Sequence, residues 1–266
     1  MHDRLYLLRN MRKCCMKKLL YSIAFASVFS LISCGVAVKK ILPFIVCRNE
    51  VSEKGNGIIE TRTFDVSDFK SINFSGSMNL SVTRGNTCGV SITLDSNLFD
   101  FLEVNVKNAV LEIKPQKNVR LKSSEYTVAV TMPYADSICL AGAQKVNVSG
   151  FTDTASSLSF RIAGAADVNA ELAVQKFSAD IAGTSKMRVK GSAERFSCSV
   201  AGAAEINAFE CKVSHADVSI AGSAHVKIAV EKELKVSGAG AGSVLYRGNP
   251  LVTGSVAGVC RIKRCE

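Results

Sequence analysis

Residues 162–170, Ile-Ala-Gly-Ala-Ala-Asp-Val-Asn-Ala, decide the fold because the same stretch returns along the chain. It aligns without gaps to Leu140-Ala-Gly-Ala-Gln-Lys-Val-Asn-Val148, Ile181-Ala-Gly-Thr-Ser-Lys-Met-Arg-Val189, Val200-Ala-Gly-Ala-Ala-Glu-Ile-Asn-Ala208 and Ile220-Ala-Gly-Ser-Ala-His-Val-Lys-Ile228. A worn copy follows at Val256-Ala-Gly-Val-Cys-Arg-Ile-Lys263. With Gly240 included, the marker glycines are Gly142, Gly164, Gly183, Gly202, Gly222, Gly240 and Gly258. A return at nearly even intervals, roughly every 20 residues, is the mark of stacked repeats. Within each copy apolar residues alternate with small or polar ones, as in a strand. Leu140, Ile162, Ile181, Val200 and Ile220 stand two before the glycine, and Val146, Val168, Met187, Ile206 and Val226 four after it. One copy cannot bury its apolar edge, whereas copies in parallel register can. The expected fold is therefore all-β, a single-chain parallel β-helix (solenoid), with a right-handed coil favoured.

Ahead of the repeats, residues 58–135 keep strand texture without the period. Strands are expected at 58–66, 71–75, 78–84, 89–94, 101–106, 110–114 and 126–132, as irregular first rungs or a cap. A cap is needed because an open end offers unpaired backbone groups to aggregation. The domain plan is thus 1–33 leader, 34–57 tether and 58–266 β-helix, irregular over 58–135 and repetitive over 136–266.

The first residues read as targeting rather than fold. A basic run ends at Lys18, and an apolar run follows from Leu19 to Ile32. That run is short of the ~20 residues needed to span a bilayer as a helix, which argues for a signal peptide. Translation could start at Met1, Met11 or Met16. Leu31-Ile32-Ser33-Cys34-Gly35 resembles a lipobox, so Cys34 is the expected lipid attachment site and new N-terminus. Acyl chains add ~0.8 kcal/mol of membrane affinity per buried CH₂. Gly35 is not an aspartate, which favours the outer membrane, and the membrane face is left open. Ile41–Cys47 is apolar, and 48–57 has linker composition.

Composition narrows the function. The whole chain carries +10, from 33 Lys/Arg and 23 Asp/Glu. Without the leader's six basic residues and one acid, 27 bases stand against 22 acids. No basic run with interleaved aromatics remains, so nucleic acid is not an expected partner. The ten cysteines contain no CxxC pair and suit neither a disulfide framework nor a zinc site. Cys260 and Cys265, near the C-terminus, are weighed as a disulfide pair.

Three places after successive glycines lie Lys145, Asp167, Lys186, Glu205 and His225, and two further on lie Asn147, Asn169 and Asn207. Stacking would set these in surface ladders. Alternating charge on adjacent strands holds register, at a few tenths of a kcal/mol per exposed pair. The competing use is a polar stripe for a glycan, although no tyrosine or tryptophan lines it. As a glycosidase pair, Asp167 and Glu205 would stand roughly 9.6 Å apart. Lys186 would lie between them, and neither acid would be desolvated. No metal-ligand cluster, catalytic triad or phosphate loop is present. The expectation is a non-enzyme without cofactor or metal.

Gly55-Asn56-Gly57, Arg62, Phe69-Lys-Ser-Ile72, Gly76, Leu80, Gly85, Asp95, Asn97-Leu98, Leu111-Glu-Ile113 and Tyr126–Pro133, together with the Ala-Gly repeats, resemble the putative auto-transporter adhesin, head GIN domain family. The resemblance covers about residues 55–262. It implies an exported β-helical domain, often on lipoproteins, and brings no catalytic or ligand residues. The expected protein is a lipid-anchored cell-envelope component presenting an adhesin-like interaction surface. The alternatives are a carbohydrate-binding or carbohydrate-active β-helix and a periplasmic stress or assembly factor. Beyond the membrane reached through its lipid, the partner (a glycan or a protein) and the oligomeric state are open.

Overall fold

The computed structural model describes residues 51–152 and 156–265. The leader, Cys34 and most of the tether lie outside them. Of the described residues 82% are in strands and 3% in helix, and the sheet does not close into a barrel. The strands are β1 Val51–Lys54, β2 Ile59–Phe64, β3 Ser71–Arg84, β4 Gly89–Asp95, β5 Leu102–Lys107, β6 Val110–Pro115, β7 Val119–Lys122, β8 Thr127–Met132, β9 Ser137–Phe151, β10 Ser157–Arg247 and β11 Leu251–Arg264. A short 3-10 segment, Ser96–Phe101, separates β4 from β5.

The copies pair in parallel, residue against residue. β9 meets β10 with Gly142 opposite Gly164, and β10 meets β11 with Gly240 opposite Gly258. Each marker glycine has a positive φ, from 117° to 153°. A Cβ on Gly164, Gly183, Gly202, Gly222, Gly240 or Gly258 would land on the carbonyl oxygen of the glycine before it. The column therefore requires glycine twice over, for backbone conformation and for closeness of approach. Leu140, Ile162, Ile181, Val200 and Ile220 are buried beside it, and the alternation of buried and exposed residues runs through β10. In the core Phe160 meets Phe177 edge-on and Phe177 stacks on Phe196, with ring centroids 5.7 and 5.4 Å apart.

One copy escapes the sequence period. β3 pairs with β9 so that Gly76 lies opposite Gly142, Phe74 opposite Leu140 and Leu80 opposite Val146. Phe74-Ser-Gly76-Ser-Met78 is thus the first member of the column, although the whole of β4 to β8 intervenes before the next. On its other edge β3 carries β6 along its first half and β8 along its second, both parallel. Antiparallel strands finish that end: β5 on β6, β4 on β8 and β2 on β4. Both 71–75 and 78–84 fall within the single strand β3.

Residues 51–57, read from composition as the end of the tether, are held against this end. β1 pairs with β7 in parallel. Asn56 and Gly57 then turn onto the loop after β4. Asp95 is buried, and its carboxylate accepts from the Ser123 hydroxyl at 2.6 Å, the Ser124 amide at 2.7 Å, the Gly57 amide at 2.6 Å and the Ser124 hydroxyl at 2.9 Å. The Ser123 hydroxyl does most to lower its pKa; burial opposes, and the other three donors lower it further, to about 2. A carboxylate held below its unfolded value of about 3.9 adds stability above that pH and loses it as pH falls towards the folded value. Acid titration of wild type is expected to lower the melting temperature between about pH 4 and pH 2. Asp95→Ala should melt several degrees lower at pH 7, and the difference should shrink across that window. An unchanged melting profile at pH 7 and pH 3 would refute the role given to Asp95.

Candidate functional site

The ladder residues lie on exposed positions next to the glycine column. The register sets Asn79 opposite Lys145 and Lys145 opposite Asp167. Their contacts follow the expected vertical alternation at one pair and depart from it at another. Asp167 is bound by Arg188, two residues beyond Lys186 on the next copy, at 2.9 Å, and no ion pair joins it to Lys145 among the described residues. The length of the arginine side chain lets it reach across, and it also donates to Asn169 Oδ1 at 3.3 Å. Asn169 in turn donates to Asn147 at 3.1 Å. Lys186 and Glu205 do meet, at 3.8 Å. Asn207 turns to its own backbone and accepts from the Phe209 amide at 3.3 Å. His225 contacts the Ser243 hydroxyl at 2.8 Å, a partner on the next copy that sequence reading did not single out. The two ion pairs are solvent-exposed, so each contributes roughly 0.2–1 kcal/mol.

Lys145, Asp167 and Lys186 come together on the rim of a groove of about 480 Å³. Its wall includes Met78, Gln144, Ala166 and Ser185, which occupy equivalent positions two after successive glycines. Gln144 is 6% exposed and Ser185 3%. The Gln144 amide nitrogen donates to the carbonyls of Gly76 and Ala141, 3.0 Å from each. Its Oε1 and the Ser185 hydroxyl are buried with no hydrogen-bond partner. Sequence reading missed both, because their positions alternate with the ladder and count as core. A second groove, about 670 Å³, lies over Phe177 and Phe196, with Ser159, Ser178 and Ser197 along it and Lys176 and Arg195 beside them.

Asp167 and Glu205 are exposed, and each is engaged by a cation. Among the described residues no group of three His, Cys, Asp or Glu is placed to hold a metal ion. Cys260 and Cys265 are both free thiols rather than a disulfide. Cys198 and Cys211 are buried thiols, and burial pushes them up to about 12 and about 11. At those values little thiolate forms near neutrality, so neither is poised as a nucleophile.

The motif residues near the start of the fold serve packing. A Cβ on Gly55 would strike the Asp95 carboxylate. The Arg62 guanidinium lies 4.2 Å from the Phe99 ring centre and pairs with Glu60 at 2.7 Å. The profile of the family described as "Putative auto-transporter adhesin, head GIN domain" matches residues 68–250, more than half the chain. The chain belongs to the head GIN domain family. Solved structures share its fold. A putative adhesin from Bacteroides fragilis superposes with a TM-score of 0.75 at 21% identity, covering 80% of this chain and 100% of that one. A putative lipid binding protein from Parabacteroides distasonis gives 0.63 at 23%, covering 81% and 100%. A putative adhesin from Parabacteroides merdae gives 0.53 at 19%, covering 81% and 99%. No curated protein matches the chain. What this head GIN domain chain shares with those structures is architecture, and its polar ladder is read on its own geometry.

Proposed function

We propose that this head GIN domain chain is a non-enzymatic, lipid-anchored cell-envelope protein whose repeats wind as a right-handed parallel β-helix and display an adhesin-like interaction surface. The observation that carries the reading is the glycine column. Parallel, in-register copies make a rigid scaffold on which side chains recur at about 4.8 Å intervals. The exposed positions then form straight rows of Lys, Asp, Glu, Asn and Arg, a surface suited to an extended partner. Family membership supports an adhesin-like role, and the lipobox at Cys34 supports anchoring in the outer membrane. A surface whose carboxylates are exposed and paired favours binding over catalysis.

The test is protease shaving of intact cells, wild type beside Cys34→Ala. Digestion of wild type, with the variant lost from the membrane fraction, is the expected result. A membrane-bound wild type fully protected from protease would overturn the surface role and favour a periplasmic one. A Cys34→Ala chain that stays in the membrane would overturn lipid anchoring.

A further inference from the structure

The last strand of the repeats has an unpaired edge whose pattern complements itself in reverse. β11 ends the strand order, bonded to β10 along one edge and to no strand among the described residues along the other. The Cys265 amide donates to the Tyr246 carbonyl, on the β10 side. Successive residues of a strand point their backbone groups to opposite edges. Val252, Gly254, Val256, Gly258, Cys260 and Ile262 therefore leave theirs at the free edge. An edge of this kind is a template for another strand, and folded proteins blunt it with charge or cover it. β2, at the other end of the order, carries Glu60 and Arg62. β11 carries no charge from Leu251 to Cys260. The core lies open here as well. Leu234 and Val244 are 0% exposed, whereas Val252 and Ile262, opposite them, are only partly buried and Val256 is 37% exposed.

We propose that two copies of this chain pair through β11, antiparallel about a two-fold axis at Gly258. Gly258 lies near the middle of β11, so this register uses nearly the whole strand. Ile262 of one copy faces Gly254 of the other, a bulky side chain against none, and Val256 faces Cys260. Residues that point into the coil keep to that side, because pairing joins even positions to even ones. Each copy has one such edge to give, so the assembly closes at two.

Charge selects the reversed arrangement. The basic residues of β11 gather in its second half, at Arg261, Lys263 and Arg264. Reversal sets Arg261 against Ser255 and Lys263 against Thr253, so no cation meets a cation. Parallel pairing in register would place all three on themselves, which is destabilising. One strand further on, Lys235 is already held by Glu233 at 3.0 Å. The chain preceding Val51 joins the fold at the opposite end, where Gly57 meets Asp95 on β4. Two copies joined at β11 thus carry their tethers at their outer ends.

Native Cys260 supplies the test. In this register position 256 of one copy faces Cys260 of the other with Cα atoms about 5.5 Å apart, within disulfide range. Within one strand the same two positions are about 13 Å apart, too far to bridge. Mild oxidation of the full chain carrying Val256→Cys, purified in detergent, should give a covalent dimer that digestion maps to a bond between positions 256 and 260. Adding Cys260→Ser should abolish that bond, and Thr63→Cys, on β2, should give no covalent dimer through position 63. Reduced wild type should sediment as a dimer, and Val256→Lys as a monomer with the circular dichroism of wild type. The proposal is overturned if no bond forms between positions 256 and 260, if Thr63→Cys cross-links as readily, or if reduced wild type sediments as a monomer. A monomer whose β11 amides resist hydrogen exchange would show that another segment of this chain covers the edge, and would overturn it equally.

Discussion

Gly183→Val is expected to lower stability by at least about 3 kcal/mol, measured by denaturant unfolding. Two independent penalties combine at this position. The backbone sits at φ 135°, which a β-branched residue adopts only under strain. The new Cβ would also fall on the Gly164 carbonyl oxygen, and Gly202 packs against Gly183 from the other side in the same way. Backbone on both sides leaves no flexible side chain to move away. Gly89→Ala is the matched control: nothing lies within 4 Å of a Cβ there, and a change within about 0.5 kcal/mol is expected. If the two variants unfolded at the same denaturant concentration, the column would not be the constraint described.

The second large effect is Phe177→Ala, expected to cost about 3–5 kcal/mol. Phe177 is 1% exposed and lies between Phe160 and Phe196, so truncation empties the middle of a row of three packed rings. Its neighbours are fixed to parallel strands on both sides, which limits collapse into the space. Phe177→Leu should recover much of the loss because it restores volume. An alanine variant within about 1 kcal/mol of wild type in the same unfolding measurement would show that the row closes up and contributes little.

The repeats were legible because two demands coincide in all copies but that of Gly240: a glycine at the column and a branched apolar residue two places before it. The first copy was not. Phe74-Ser-Gly76-Ser-Met78 carries serine where later copies carry alanine, and the interval from Gly76 to Gly142 fits no single turn of the repeat. The strands expected before the repeats match β2, β3, β4, β5, β6 and β8 within a few residues, with 71–75 and 78–84 fused in β3. β1 and β7 escaped notice because Val51-Ser-Glu-Lys54 and Val119-Arg-Leu-Lys122 are short and polar, with pairing supplied by tertiary context. The part played by Asp95 was equally hidden, since its donors come from Gly57, Ser123 and Ser124, distant in sequence.

Of the contacts expected along the ladder, Lys186–Glu205 forms, while Asp167 pairs with Arg188 instead of Lys145. Register places charges in rows, but side-chain reach decides which of them touch, and Arg188 spans to Asp167 where Lys145 does not. The groove depended on still finer information. Its lining draws on three consecutive positions from several copies, and a groove of that kind depends on side-chain size rather than on period.

The long detour between Gly76 and Gly142 bears on how the chain assembles. Loop-closure entropy grows as about (3/2)RT ln n, so closing a loop roughly three times longer than one repeat costs about 1 kcal/mol more. The pairing of β3 with β9 carries that extra cost, and the pairings among later copies do not. Folding is therefore favoured to begin among the later repeats, where each contact closes a short loop. The antiparallel end, which contains Asp95, then joins last, so a newly made chain would have its repeats in register before that end is sealed.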